Sequence, residues 1–271
     1  NMAAALIEYF KEAGLEKGDI IAAGMSGSLP GLNLAFYAAC ETMNLTPIVI
    51  TSVGASSWGA NDPSFTWLDM ESVLYYAGLI QHRSVAASIG GGEDLGGRLS
   101  PDGRDLIVEA IHRQDLPLIE ERTLEQSVET RMRLYERLSG DQPISLYVNI
   151  GGGLASIGHG RNWDMIPVGV SQKLPLLNYP RRGAIHAFSD RKIPVLHLAR
   201  VDEIARRFEL PLNPAPLPKP GEGELFSQER YNLLVTVLAL ALVGLTLVVV
   251  LFFDRRTQRL DRVGADPDTL I

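Results

Sequence analysis

From Leu233 to Phe253 the chain reads LLVTVLALALVGLTLVVVLFF, 21 residues without a charge, with Thr236 and Thr246 as the only polar side chains. A helix rises about 1.5 Å per residue, so this run spans roughly 30 Å, the thickness of a bilayer's hydrocarbon core. A buried helix of a soluble domain rarely runs so far without a charge, and the stretch is expected to cross a membrane. Asp254, Arg255, Arg256, Arg259 and Arg262 follow it, whereas Glu222, Glu224 and Glu229 precede it beside Lys219 and Arg230. Lys and Arg are denser on the C-terminal side, which places the tail 254–271 in the cytoplasm and the large N-terminal part outside.

About 230 residues precede the span, enough for one sizeable α/β domain. The formal net charge of −7 comes with no basic stripe, which argues against a nucleic-acid partner. Cys40, the single cysteine, has no internal disulfide partner and lies in an apolar helical pattern, where a buried inert thiol is expected. A domain of this size folds without such staples. The chain opens on Asn1 with no basic-then-apolar leader, and with its bulk placed outside, an upstream signal or first span is expected.

Strands and helices alternate along the domain. Ala3–Ala13 reads as an amphipathic helix closed by Gly14, and Asp19–Gly24 as a short strand buried on both faces. Pro30 sits in the first turn of a helix reaching Met43, and Pro47–Val53 is the next strand. After a small-residue loop, 54–65, Thr66 and Asp69 form a capping box for a helix with Trp67, Met70, Leu74 and Ala77 on one face. Val85–Ile89 is a strand. Ser100-Pro101 opens a helix with Leu106, Ile107, Ala110 and Ile111 inward, and Leu116–Ile119 is a short strand. Thr123 with Gln126 starts a helix reaching Leu138, and Ser145–Ile150 is again a strand. The stretch 158–183 carries too much Gly, Pro and Asn to assign; Val195–Leu198 and Val201–Phe208 read as a last strand and helix. The alternation predicts an α/β fold with a mostly parallel, doubly wound (Rossmann-like) sheet over 1–210, then a proline-rich linker 211–232, the span 233–253 and the tail 254–271.

Three predicted strand ends run into small-residue loops: Gly24-Met25-Ser26-Gly27-Ser28, Gly90-Gly91-Gly92-Glu93-Asp94 and Gly151-Gly152-Gly153. A parallel sheet opens all three on its carboxyl edge, where α/β folds bind ligands. Glycine lets backbone N–H groups approach a ligand, and a following helix adds its positive end, so the composite suits an anion, phosphate or carboxylate. The candidate ligand-binding residues are therefore Gly24, Ser26, Gly27, Ser28, Gly90, Gly91, Gly92, Asp94, Gly151, Gly152 and Gly153. No loop matches a P-loop or a dinucleotide fingerprint. Ser26 lies between strand and helix as a nucleophile elbow does, with Ser28 where that motif has glycine; His159 is the candidate base, with His186 and His197 further on. Ser26 and Ser28 equally suit helix capping and anion binding. Glu93-Asp94 suits a hard cation but more commonly reads as a solvated acidic turn, and Arg181-Arg182 reads as a basic turn able to grip carboxylates. The histidines have no ligand spacing and there is no cysteine pair, so no metal ligands are assigned, and the residues name no cofactor.

Taken as a set, DIIAAGMSGSLPGLN, VITSVGASSWGAN, SIGGGEDLGGRLSPDGR and YVNIGGGLASIG with the C-terminal span resemble the bacterial poly-γ-glutamate system protein family. The likeness covers about 1–255. It implies a membrane protein of the cell envelope serving the synthesis or export of an anionic capsule polymer, with the synthase and export proteins, and the polymer itself, as partners. It implies no catalytic residues. Three functions remain open: an accessory that binds polymer or synthase, a serine hydrolase or transferase acting on the polymer's amide bonds, and a sensor of a small anionic metabolite.

Overall fold

The computed structural model describes residues 1–54, 58–97, 99–216, 219, 221–222, 225–226 and 232–262, with side chains to Phe253. The chain divides into two units, 1–226 and 227–271. Ala55, Ser56 and Ser57 of the small-residue loop, much of the proline-rich linker and the tail beyond Arg262 lie outside the described residues.

In the first unit a seven-stranded sheet is built from β1 (Ile20–Ser26), β2 (Thr46–Ser52), β3 (Ala86–Ser88), β4 (Leu118–Ile119), β5 (Ile144–Ile150), β6 (Gly169–Ser171) and β7 (Val195–Leu198). The order is β4-β3-β2-β1-β5-β7-β6, parallel except for the edge strand β6. The protein is thus α/β with a doubly wound, mostly parallel sheet. Successive strand residues face opposite sides, and both sides are buried, which is why the strands read as continuous apolar runs. Ile21, Ala23, Val49, Val148 and Leu196 face one core with α1 (Met2–Glu12), α2 (Pro30–Met43), α3 (Trp67–Tyr76), α4 (Pro101–Arg113) and α9 (Val201–Arg207). Ile20, Ala22, Ile50, Tyr147 and Val195 face the other, with α5 (Leu124–Ser139) and α8 (Ala184–Asp190). There Tyr147 stacks on Phe188 at 4.5 Å.

Two helix faces differ from the periodicity. Leu106 is 42% exposed, and only Ile107, Ala110 and Ile111 of α4 turn inward. On α3, Trp67 is buried but Ala77 is exposed, and Glu71 and Ser72 go inside. Tyr37 stacks on Trp67, and its hydroxyl needs an acceptor there; Glu71 supplies one at 2.6 Å and also takes the Ser84 N–H at 2.9 Å. Burial holds the Glu71 pKa up despite these bonds. The expected box is present: Asp69 accepts from the Thr66 N–H at 2.7 Å and hydroxyl at 2.8 Å, and Arg113 adds a charged bond at 2.9 Å.

The unassigned stretch 158–183 holds α7 (Asn162–Met165) and β6, after the four-residue α6 (Leu154–Ile157). Here two backbone segments cross in contact. A Cβ on Gly158 would lie 2.3 Å from the Arg181 carbonyl oxygen, and one on Gly183 would lie 2.4 Å from that of Ser156. Asn162 ties the crossing by donating to the carbonyls of Ile157 at 2.6 Å and Arg181 at 2.7 Å.

The second unit contains α10 (Leu233–Arg262), whose apolar part Leu233–Phe253 has a mean hydropathy of 3.0 and is long and apolar enough to cross a membrane. Its two hydroxyls are satisfied within the helix, Thr236 on the Asn232 carbonyl at 3.1 Å and Thr246 on that of Leu242 at 2.9 Å. Asn232 caps the start by accepting the N–H groups of Leu234 and Val235. A lipid-facing helix needs such internal partners.

Candidate functional site

The strand order reverses between β1 and β5, and the crevice above their carboxyl ends is the topological switch point. Ser26, Ser52 and Ser88 close β1, β2 and β3 in one register row. The three glycine-rich loops meet around Ser52. The Gly27 N–H donates to its carbonyl at 3.0 Å. A Cβ on Gly90 would lie 3.1 Å from the Ser52 Cβ, and one on Gly153 would lie 3.4 Å from the Ser52 Oγ. Gly151 abuts Ser26 in the same way at 2.8 Å. Over this edge opens a cavity of about 460 Å³ walled by Gly54, Gly91, Gly92, Leu154, His159 and Gly160.

The second loop is the most constrained. Gly90, Gly91, Glu93, Asp94 and Gly96 all have positive φ, and the two acidic residues there, at 54° and 64°, carry the left-handed steric cost of about 1–2 kcal/mol each. Their side chains are held from outside the loop. Glu93 takes two bonds from Arg181, at 2.5 and 3.0 Å, and one from the Leu124 N–H. The Arg181 guanidinium lowers the Glu93 pKa. Asp94 is 1% exposed, so the solvated acidic turn expected from the sequence is corrected: this carboxylate is buried against Arg131 at 2.9 Å. Ser88 and Ser127 donate to it at 2.8 and 2.6 Å, and Arg131 also donates to Ser88 at 2.6 Å and Ser52 at 3.3 Å. Burial alone would lower the Arg131 pKa; the Asp94 charge and hydrogen bond, together with the Tyr135 and Tyr147 hydroxyls, outweigh it and raise it. The ion pair thus fastens the glycine loop to the serine row. Arg131 lies in a charged amphipathic helix and strand-end serines are common, so their types alone carried no signal.

No protein-family model and no curated protein matches this chain.

The candidate residues fall into distinct places. Gly24 lies inside β1, two residues below the edge, where the Tyr147 and Ser156 hydroxyls fill the space a Cβ would take. Ser26 is still strand and 6% exposed; its Oγ accepts the Ser28 N–H at 3.2 Å, and its φ is not positive. His159 lines the cavity and its Nδ1 accepts the Arg161 N–H at 3.0 Å. Among the described residues no hydrogen bond joins Ser26 to a histidine. Gly152 packs under the Trp163 ring, and Trp58 stands 79% exposed. Arg181 does grip carboxylates, but they are the protein's own Glu93 and Glu125. Only the first loop runs directly into a long helix, α2. The third leads into the four-residue α6, so the expected dipole contribution is confined to the first.

Below the edge on the same sheet face, Asn149 donates to His197 Nδ1 at 2.9 Å. His197 is fully buried, and its Nε2 has no hydrogen-bond partner among the described residues. Burial, reinforced by Arg200, lowers its pKa to about 4, so the ring is neutral at pH 7.

Proposed function

We propose that this chain is a membrane-anchored accessory of poly-γ-glutamate synthesis or export, with its α/β domain outside the cytoplasm, the tail 254–271 inside, and a carboxylate-binding site at the glycine-lined sheet edge. The observation that carries this reading is the meeting of three glycine-rich strand ends around Ser52 beside a cavity of about 460 Å³. Glycine lets a ligand approach the backbone closely there, and poly-γ-glutamate offers a carboxylate on every unit. His159 is the one group able to carry positive charge among the described lining residues, and the chain's formal charge is −7. The net charge opposes a polyanion at long range, so binding is local and salt-sensitive, or bridged by cations. A serine hydrolase or transferase centred on Ser26 and His159 is the competing reading. Binding is favoured because Ser26 Oγ is engaged by the Ser28 N–H and sits on regular strand, not on a strained elbow.

Gly160 gives a clean test. It lines the cavity, and a Cβ there meets nothing within 4 Å. Gly160→Leu is expected to leave the melting temperature unchanged and to weaken binding of fluorescently labelled poly-γ-glutamate about tenfold, an effect of about 1.4 kcal/mol. Unchanged affinity in that variant overturns the assignment of the site.

A further inference from the structure

A second cavity, also of about 460 Å³, lies between α8 and the segment 172–179 and shares no lining residue with the one at the sheet edge. Its size is that of small-molecule pockets, roughly 300–1,000 Å³. His186, 1% exposed, is part of its wall. Nδ1 of that ring accepts the Gly183 N–H at 3.1 Å, which places the proton of the neutral ring on Nε2. Nε2 is buried and has no hydrogen-bond partner among the described residues, and the His186 and Tyr179 rings pack edge to face with their centroids 4.4 Å apart. Burial, with Arg182 nearby, brings the His186 pKa down to about 4 and keeps this ring neutral.

Most of the other polar groups can also donate, and the exposed Gln172 amide both donates and accepts. Ser189 Oγ accepts the Leu174 N–H at 3.0 Å, which leaves its own O–H to give. Lys173 and Lys192 stand on the rim, exposed and without an ion-pair partner among the described residues. The one carboxylate in the lining, Asp190, is taken by Arg182 at 2.7 Å to both oxygens. Leu174, Leu176 and Leu177 supply apolar wall. A pocket whose buried free nitrogen donates and whose unpaired charges are positive wants an acceptor with negative charge, and its leucines want an apolar body.

We infer that this cavity binds a small organic carboxylate with an apolar body, its carboxylate taken by His186 Nε2–H and the two rim lysines as Tyr179 turns aside. The inference is independent of the polymer site. It is tested on the full chain in lipid nanodiscs by following the His186 ring signals in ¹H–¹³C spectra during titration with 3-phenylpropionate. A saturable shift is expected with the acid and none with 3-phenylpropanol or inorganic phosphate. Lys192 has φ +63°, a conformation glycine adopts freely, so Lys173→Gln/Lys192→Gly folds as well as the wild type while binding about tenfold more weakly. His186→Asn keeps an acceptor for the Gly183 N–H, but its shorter amide places no donor at the position of Nε2, and calorimetry is expected to give an affinity at least about tenfold lower. No saturable shift with the acid, an equal response to the alcohol or to phosphate, or wild-type affinity in either variant overturns the inference.

Discussion

Asp94→Ala is expected to destabilise the domain by about 3–5 kcal/mol, because it strands the Arg131 guanidinium in the interior with only hydroxyl partners. Arg131 is 1% exposed, and its Nε already lacks a hydrogen-bond partner among the described residues. The variant also removes what holds a left-handed residue at position 94, so the glycine loop is expected to loosen with it. Urea unfolding of the full chain in detergent measures the loss. A double variant, Asp94→Leu with Arg131→Met, removes both charges and is expected to recover much of the stability while leaving polymer binding impaired, since the loop stays unfastened. A single-variant cost under about 1 kcal/mol would show that the pair is not buried as described.

The second large effect is on acid stability. His186 and His197 have pKa values lowered to about 4, against an ordinary value near 6.5. Between those values the unfolded chain binds protons that the folded chain refuses, so stability is full above about pH 6.5 and falls as pH drops towards 4. Each residue accounts for about 3 kcal/mol over that window. Glu71 works in the opposite sense: its raised pKa makes its contribution largest in acid and smaller as pH rises. It opposes the two histidines, whereas the lowered carboxyls of Asp69, Glu93 and Glu125 act in the histidines' sense at the acid end, so the net trend is a loss. Unfolding midpoints at pH 7, 6, 5 and 4.5 are expected to decline steadily, and the decline is expected to be about half as steep in His197→Gln. Imidazole titrations near pH 6.5 for both rings would contradict this account.

The sheet was legible in the sequence because strands buried on both faces must be continuous apolar runs, and the alternation with helices left little freedom in topology. A parallel sheet also places all its strand ends on one edge, which is why three scattered glycine loops could be brought together before any coordinates. What was not legible depends on partners distant in the chain. Gly158 and Gly183 are ordinary loop glycines until one backbone is seen to cross the other. Glu71 sits where periodicity asks for a surface residue, and only Tyr37 and Ser84 make its burial tolerable. Asp94 looks like a solvated turn because Arg131, 37 residues later, hides in a helix rich in charges. The serine row is silent for the same reason: each serine is unremarkable alone, and the register makes them neighbours.

The account turns on whether the glycine-lined edge holds polymer without cutting it. The full chain in detergent is incubated with poly-γ-glutamate at low salt and run through gel filtration, reading polymer length and protein co-elution together, with Gly160→Leu and Ser26→Ala alongside. Co-elution of wild type with polymer of undiminished length, weakened in Gly160→Leu and lost on adding salt, is the predicted result. Polymer shortened by wild type but not by Ser26→Ala would make this an enzyme and contradict the binding account.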